Sequence, residues 1–184
     1  MIRTVPRSTA AAPNRGGAAA VEFAFAMMFV LFPLMVGIWE VGRAVQVQQM
    51  VASAAREGAR LAAQGRTTTN TGAQLDIRAV LAAGSTSPSV KAAVVQSLAG
   101  SGLKNVLWSD VTVTFAFTDG NMASTEPYQG AKNQGFTVTV VLNYTDRVRW
   151  SNIGGFGITS LTSTSKWRML VDDPFTVNPN VPNW

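Results

Sequence analysis

The chain has 184 residues, enough for one domain and an anchor. It contains no His and no Cys. That removes the usual zinc ligands, the imidazole base and the thiol nucleophile, and it leaves cysteine usage silent on redox compartment. The net charge of +5 comes from 15 basic and 10 acidic residues, but Arg3, Arg7 and Arg15 all precede the first apolar run with no acid among them. Beyond residue 17 the basic residues are scattered and nearly balanced, unlike the clustered Lys/Arg surface of a nucleic-acid binder. An enzyme built from this chain would have to use carboxylates, Lys, Tyr or Ser, and no such constellation is visible. No catalytic residue, metal site or cofactor is therefore assigned.

From Phe23 to Trp39 no side chain is charged. With Ala18–Val21 in front, about 22 residues are almost continuously apolar, interrupted by Glu22, and about 20 such residues in a helix cross the hydrocarbon core of a bilayer. A cleaved secretory signal would have a shorter apolar core followed by a small-x-small site. Here Gly37-Ile38-Trp39-Glu40 follows instead, so residues 18–39 are read as a retained span. The arginines before it place the N-terminus in the cytoplasm and everything after about residue 40 outside. Trp39 fits an interfacial anchor at the outer edge. Pro33, inside the span, is expected to kink the helix or unwind it locally.

Glu22 is the informative residue of this segment. A carboxylate within a span costs a few kcal/mol unless it is paired or shallow, and a shallow, snorkelling acid is one reading. The run Arg15-Gly16-Gly17-Ala18-Ala19-Ala20-Val21-Glu22-Phe23 supports another. It resembles a class III signal, the type processed by prepilin peptidases. The resemblance implies cleavage between Gly17 and Ala18, which makes Glu22 the fifth mature residue. The new Ala18 ammonium would lie four residues from Glu22, about 6 Å along a helix. Pairing of Glu22 with its own or a neighbour's amine would favour one axial register between helices side by side.

The resemblance extends over residues 15–64, which look like the TadE-like (TadE/TadF) pseudopilin family of the tight-adherence (Flp-type) pilus assembly system. The stretches that carry it are Arg15–Ala24, Gly37-Ile38-Trp39-Glu40-Val41-Gly42-Arg43 and Ala54-Ala55-Arg56-Glu57-Gly58-Ala59-Arg60. The resemblance implies a pseudopilin or minor pilin that supports an adhesive pilus by assembly rather than catalysis. It implies as partners a prepilin peptidase, other pilins or pseudopilins and an inner-membrane assembly platform, with the lipid bilayer as surroundings. The implied location is the bacterial inner membrane with a periplasmic C-terminal domain, or the pilus itself. Some relatives carry paired cysteines in the C-terminal part, which this chain lacks, and TadE and TadF share one layout. A rival reading is a membrane-tethered binding or sensing module that keeps residues 1–17 and never enters a filament.

Residues 40–65 are expected to continue the helix as a stalk. Val47, Val51, Ala54, Gly58 and Leu61 recur at three- and four-residue spacing, with Gln49, Ser53, Arg56 and Arg60 opposite. Ala54, Gly58 and Ala62 form a small-residue ridge that allows close helix approach, either to the protein's own head or to another subunit. Glu57 and Arg60 are spaced to pair, and Gly65 signals a stop. Residues 66–72 read as a polar linker. A short helix is expected over 73–83 with Gly84 ending it, and a second from the Ser87-Pro88 cap to about Gly100.

The period then changes to two. Val111, Val113, Phe115 and Phe117 alternate with Thr112 and Thr114. Phe136, Val138, Val140, Leu142 and Tyr144 alternate with Thr137, Thr139 and Asn143. A third run sets Leu161, Trp167, Met169 and Val171 against Thr162, Thr164, Lys166 and Arg168. These are half-buried antiparallel strands that need a helix over their apolar face. The expected fold class is α+β: a long transmembrane and stalk helix, a head over 66–172 with an antiparallel sheet of about three strands, and a Pro-rich tail over 173–184. The connection 119–134 is long enough to be functional or mobile. Gly154-Gly155-Phe156-Gly157 lacks the Lys-Ser/Thr and helix start of a phosphate loop, and Asp172-Asp173-Pro174 reads as a solvated strand end rather than a metal site.

Overall fold

The computed structural model describes residues 16–68, 72–144 and 158–170. The leader up to Arg15, the Gly154–Gly157 turn, Asp172-Asp173-Pro174 and the tail lie outside the described residues. Helix α1 runs from Gly16 to Ala63, 48 residues, or about 72 Å. It passes through Pro33 as continuous helix, so the locally unwound turn does not occur. Proline costs one backbone bond, but unwinding among apolar side chains would strand several more polar groups.

The two halves of α1 have opposite surroundings. Its most apolar stretch is bare, with none of it buried inside the protein. From Ala44 onward one stripe is closed: Ala44, Val47, Val51, Ala54, Ala55, Ala59, Ala62 and Ala63 are buried, while Gln49, Ser53, Arg56 and Arg60 face solvent. That is the amphipathic pattern read from the sequence, and it makes residues 44–63 the central element of the head. Because so many of these residues are alanine, neighbouring elements approach the helix axis closely.

The strands β3 (Val111–Phe117), β4 (Gly135–Asn143) and β5 (Ser160–Arg168) form one antiparallel sheet in the order β3-β4-β5. Thr114, Thr139 and Thr164 sit side by side across it. Val111, Val113, Phe115 and Phe117 are buried with Phe136, Val138, Val140 and Leu142, while Thr112, Thr114 and Ala116 face outward. Phe115 meets Phe117 edge-on at 4.9 Å and Phe136 at 5.2 Å between ring centroids. On β5 the inward row is weaker: Ser165 and the following Met169 are buried, but Trp167 stays 40% exposed. The apolar face is covered by α1, which lies over β4 and β5, and by α2 (Val90–Gly100), which packs against α1 and reaches β3.

Two expectations are corrected. The described residues 66–68 and 72–83 are not a polar linker followed by a helix. Arg66–Thr68 (β1) and Gln74–Asp76 (β2) pair antiparallel, with Arg66 opposite Asp76. The Ile77 amide donates to the Gly65 carbonyl at 3.0 Å and Ile77 is buried, so tertiary bonds to the end of α1 override the helical propensity of this Ala- and Leu-containing stretch. Likewise α2 starts later than the Ser87-Pro88 pair suggests. Ser89 is the cap, its Oγ accepting from the Ala92 amide at 3.1 Å, because the Pro88 carbonyl is held outside the helix by the Arg78 amide at 3.2 Å.

Candidate functional site

The residues singled out by sequence fall into three zones along α1. At the start, Gly17, Ala18 and Glu22 are exposed on the bare half of the helix. Nothing lies within 4 Å of the position a Cβ would take at Gly17. Ala18 and Glu22 are one helical turn apart and so share a face. Among the described residues no fold contact holds any of the three, which leaves them open to other molecules on that side.

The middle zone is the junction of span and head. Glu40, one residue beyond Trp39, is only 5% exposed. Arg43 donates from Nη1 to Gln46 Oε1 at 3.1 Å, while its Nε is enclosed with no hydrogen-bond partner among the described residues. In the sequence, Glu40 and Arg43 are a pair of opposite charges just beyond the span. The missed signal was the spacing Glu40, Ala44, Val47, Val51, which continues the buried stripe back to the membrane edge.

The third zone is the small-residue ridge and the distal end of the helix. Ala54 and Ala62 are fully buried. A Cβ at Gly58 would stand 2.7 Å from Val94 Cγ2 and 3.2 Å from Val90 Cγ1, so this part of the ridge faces the protein's own α2. Glu57 and Arg60 pair on the exposed face at 2.7 Å. The hydrogen bond from Arg60 holds the Glu57 carboxyl below its usual range. At the helix end, Gly65 is needed for close approach: a Cβ there would lie 2.6 Å from the Pro127 carbonyl oxygen.

The connection 119–134 has a structural role. Glu126 Oε2 accepts from the Ala79 amide at 2.7 Å, Arg66 Nε donates to the Tyr128 carbonyl at 2.8 Å, and the Arg78 guanidinium lies 4.1 Å over the Tyr128 ring. The base of the connection is closed by Asp119 Oδ1 accepting from the Gly135 amide at 2.6 Å and by Gln134 Nε2 donating to the Asp119 carbonyl at 2.7 Å. On the flank of the head Lys91 Nζ sits 4.8 Å over the Trp108 ring, and partial burial lowers its pKa. Among the described residues no cluster of three metal-ligating side chains occurs.

The model of the TadE-like protein family matches residues 17–60. The matched stretch is about a quarter of the chain. It begins with the bare half of α1 and ends three residues before the helix does. It lies wholly on this long helix and does not reach the sheet. No curated protein and no solved structure matches the chain.

Proposed function

We propose that the chain is a membrane-anchored pseudopilin or minor pilin that supports biogenesis of a tight-adherence pilus through protein–protein assembly. The observation that carries this reading is the division of one uninterrupted helix. Its apolar half is uncovered by the described residues, its other half is the spine of the head, and nearly all of it lies in the family-matched stretch. A helix of that kind inserts its bare half in a bilayer and carries the head rigidly outside it. The leader arginines set the N-terminus in the cytoplasm and the head in the periplasm. A prepilin peptidase cuts between Gly17 and Ala18, freeing an amine near Glu22. The exposed half then assembles with other pilins or pseudopilins at an inner-membrane platform.

The test is the intact mass of the protein purified from membranes of its own host. The mature chain is expected to begin at Ala18, and Gly17→Leu to block processing. Gly17 has open surroundings, so that substitution leaves the fold alone and the result reports on the peptidase. A chain still carrying residues 1–17 would overturn the pilin reading and favour the tethered binding or sensing module.

A further inference from the structure

We infer that the head is seated directly on the bilayer, with the β4–β5 end of the sheet in the headgroup layer of the leaflet from which α1 emerges. This rests on the membrane-anchor reading. Heights along α1 locate the head relative to the membrane. Strand β5 is tied to the helix at two points: Gln48 Nε2 donates to the Thr162 carbonyl at 2.8 Å, and the Leu170 amide donates to the Ala63 carbonyl at 2.6 Å. Between these ties the helix advances about 22 Å and the strand about 26 Å. The advances nearly agree, so β5 and α1 run side by side in the same direction, and a position on the strand translates into a height above the membrane.

Trp39 marks the outer edge of the apolar half. Gln48 is nine residues farther on, about 13 Å higher. Thr159 lies three residues below Thr162 on the strand side, about 10 Å back toward the membrane. It therefore stands only about 4 Å above Trp39, and Tyr144 stands with it, its amide bonded to the Thr159 carbonyl at 2.9 Å. The next pair up, Asn143 and Ser160, is at about 7 Å. One leaflet's headgroup layer is about 5–8 Å thick. The lower rim of the sheet falls inside it.

Two further observations agree. Glu40 is already buried one residue past Trp39, so no free turn of helix separates span from head. On the opposite side of the helix Val41 and Val45 remain 51% and 52% exposed, though they lie beyond the span. At about 3 and 9 Å above Trp39, they occupy the headgroup layer and its upper margin, where an apolar side chain is not surrounded by bulk water. The chemistry of the rim also fits. Among the described residues the exposed side chains of this rim, Asn143, Thr159 and Ser160, are uncharged and polar, so they meet headgroups without desolvating a charge. Lys166 and Arg168, exposed on the same strand, lie about 20–26 Å farther out.

The chain has no cysteine, so single cysteines can be placed cleanly for fluorescent labelling. The full chain carrying a label at Ser160, Lys166 or Met28 would be reconstituted in phosphatidylethanolamine–phosphatidylglycerol vesicles, with nitroxide quenchers on either the headgroups or the acyl chains. The expected result is several-fold stronger headgroup quenching at Ser160 than at Lys166, with acyl-chain quenching at Met28. Met28 quenched by acyl chains but Ser160 quenched no more than Lys166 would show a head that stands off the membrane, and would overturn the inference alone. Absence of quenching at Met28 would overturn the anchor reading and the inference together.

Discussion

Gly58 is the position where a single methyl group tests the packing of α1 on α2. Carbon atoms pack best at about 3.5–4.0 Å, and an added Cβ would find Val94 Cγ2 at 2.7 Å and Val90 Cγ1 at 3.2 Å. Both valines are fully buried, and a β-branched side chain on a helix has little rotamer freedom with which to yield. Relief therefore requires α2 to shift outward by close to an ångström. Overpacking of this kind costs about 1–3 kcal/mol, against about 1 kcal/mol gained by replacing a mid-helix glycine with alanine. The balance for Gly58→Ala is a loss of about 1 kcal/mol, or about 3–5 °C in Tm for a domain of this size. Thermal unfolding of the full chain in detergent, followed by circular dichroism, measures it. Val94→Ala opens the space, so the double variant should be less destabilised than the two single effects summed. Gly42 supplies the contrast: nothing lies near its Cβ position, so Gly42→Ala should gain stability. If Gly58→Ala raised Tm as Gly42→Ala does, the close contact with α2 would be refuted.

Gly65→Ala is expected to cost more than Gly58→Ala, about 3 kcal/mol or beyond, because the methyl meets the Pro127 carbonyl, which is backbone and cannot rotate away; a urea midpoint equal to that of the unsubstituted chain would contradict this. Glu126→Ala should cost about 1–3 kcal/mol by leaving the Ala79 amide without its acceptor, whereas Glu126→Gln keeps an acceptor oxygen and should recover most of the urea midpoint. The Glu57–Arg60 pair has a defined pH sign. The folded carboxyl titrates below its usual value, so its contribution is complete above the unfolded pKa of about 4.3 and is lost as the pH falls through the folded pKa. Both side chains are about half exposed, so the effect is small and salt-screened. The difference between Glu57→Gln and the unsubstituted chain should vanish in molar salt.

The parts of the fold that sequence made legible are those where one period decides which side is buried. Alternation in Val111–Phe117 and Phe136–Leu142 specifies inward faces because successive strand side chains point to opposite sides, and the stripe Val47, Val51, Ala54, Gly58 does the same for α1. Where the apolar set was short, the period could not decide. Residues 73–83 carry an Ala- and Leu-containing pattern that fits a helix, yet buried Ile77 and Ala79, with the Ile77 bond to Gly65, draw the backbone into a bridge and a short strand pair. Ser87 and Ser89 are both plausible caps, and only the long-range bond between Arg78 and Pro88 selects Ser89. Gly65 was legible as a helix stop, but its reason is the approach of Pro127, 62 residues away, which no local pattern encodes. In the candidate site, the Gly17, Ala18 and Glu22 constellation was visible only by resemblance. The burial of Glu40 was hidden because charge at a membrane flank is ordinarily read as topology.

Glu22 offers the sharpest separation between an assembly role and an incidental acid. It is exposed on the bare half of α1, among residues that would face lipid, where a carboxylate is costly to hold. Glu22→Gln keeps the shape and removes the charge. Membrane insertion should improve slightly, since a buried amide costs less than a buried carboxylate. Processing after Gly17 should survive, because Glu22 lies five residues from the scissile bond. Head stability should not change, since the side chain lies outside the buried stripe of the helix. Assembly should fail, because the Ala18 ammonium, about 6 Å along the helix from Glu22, would lose the partner that compensates it in a low-dielectric setting and sets the axial register. The readouts are surface piliation in a strain lacking the unsubstituted copy and co-purification of the variant with other pilus components. A shallow, snorkelling acid would leave both unchanged. Normal piliation with normal co-purification would therefore exclude amine pairing, while loss of both in a correctly processed and inserted protein would assign the defect to the charge itself.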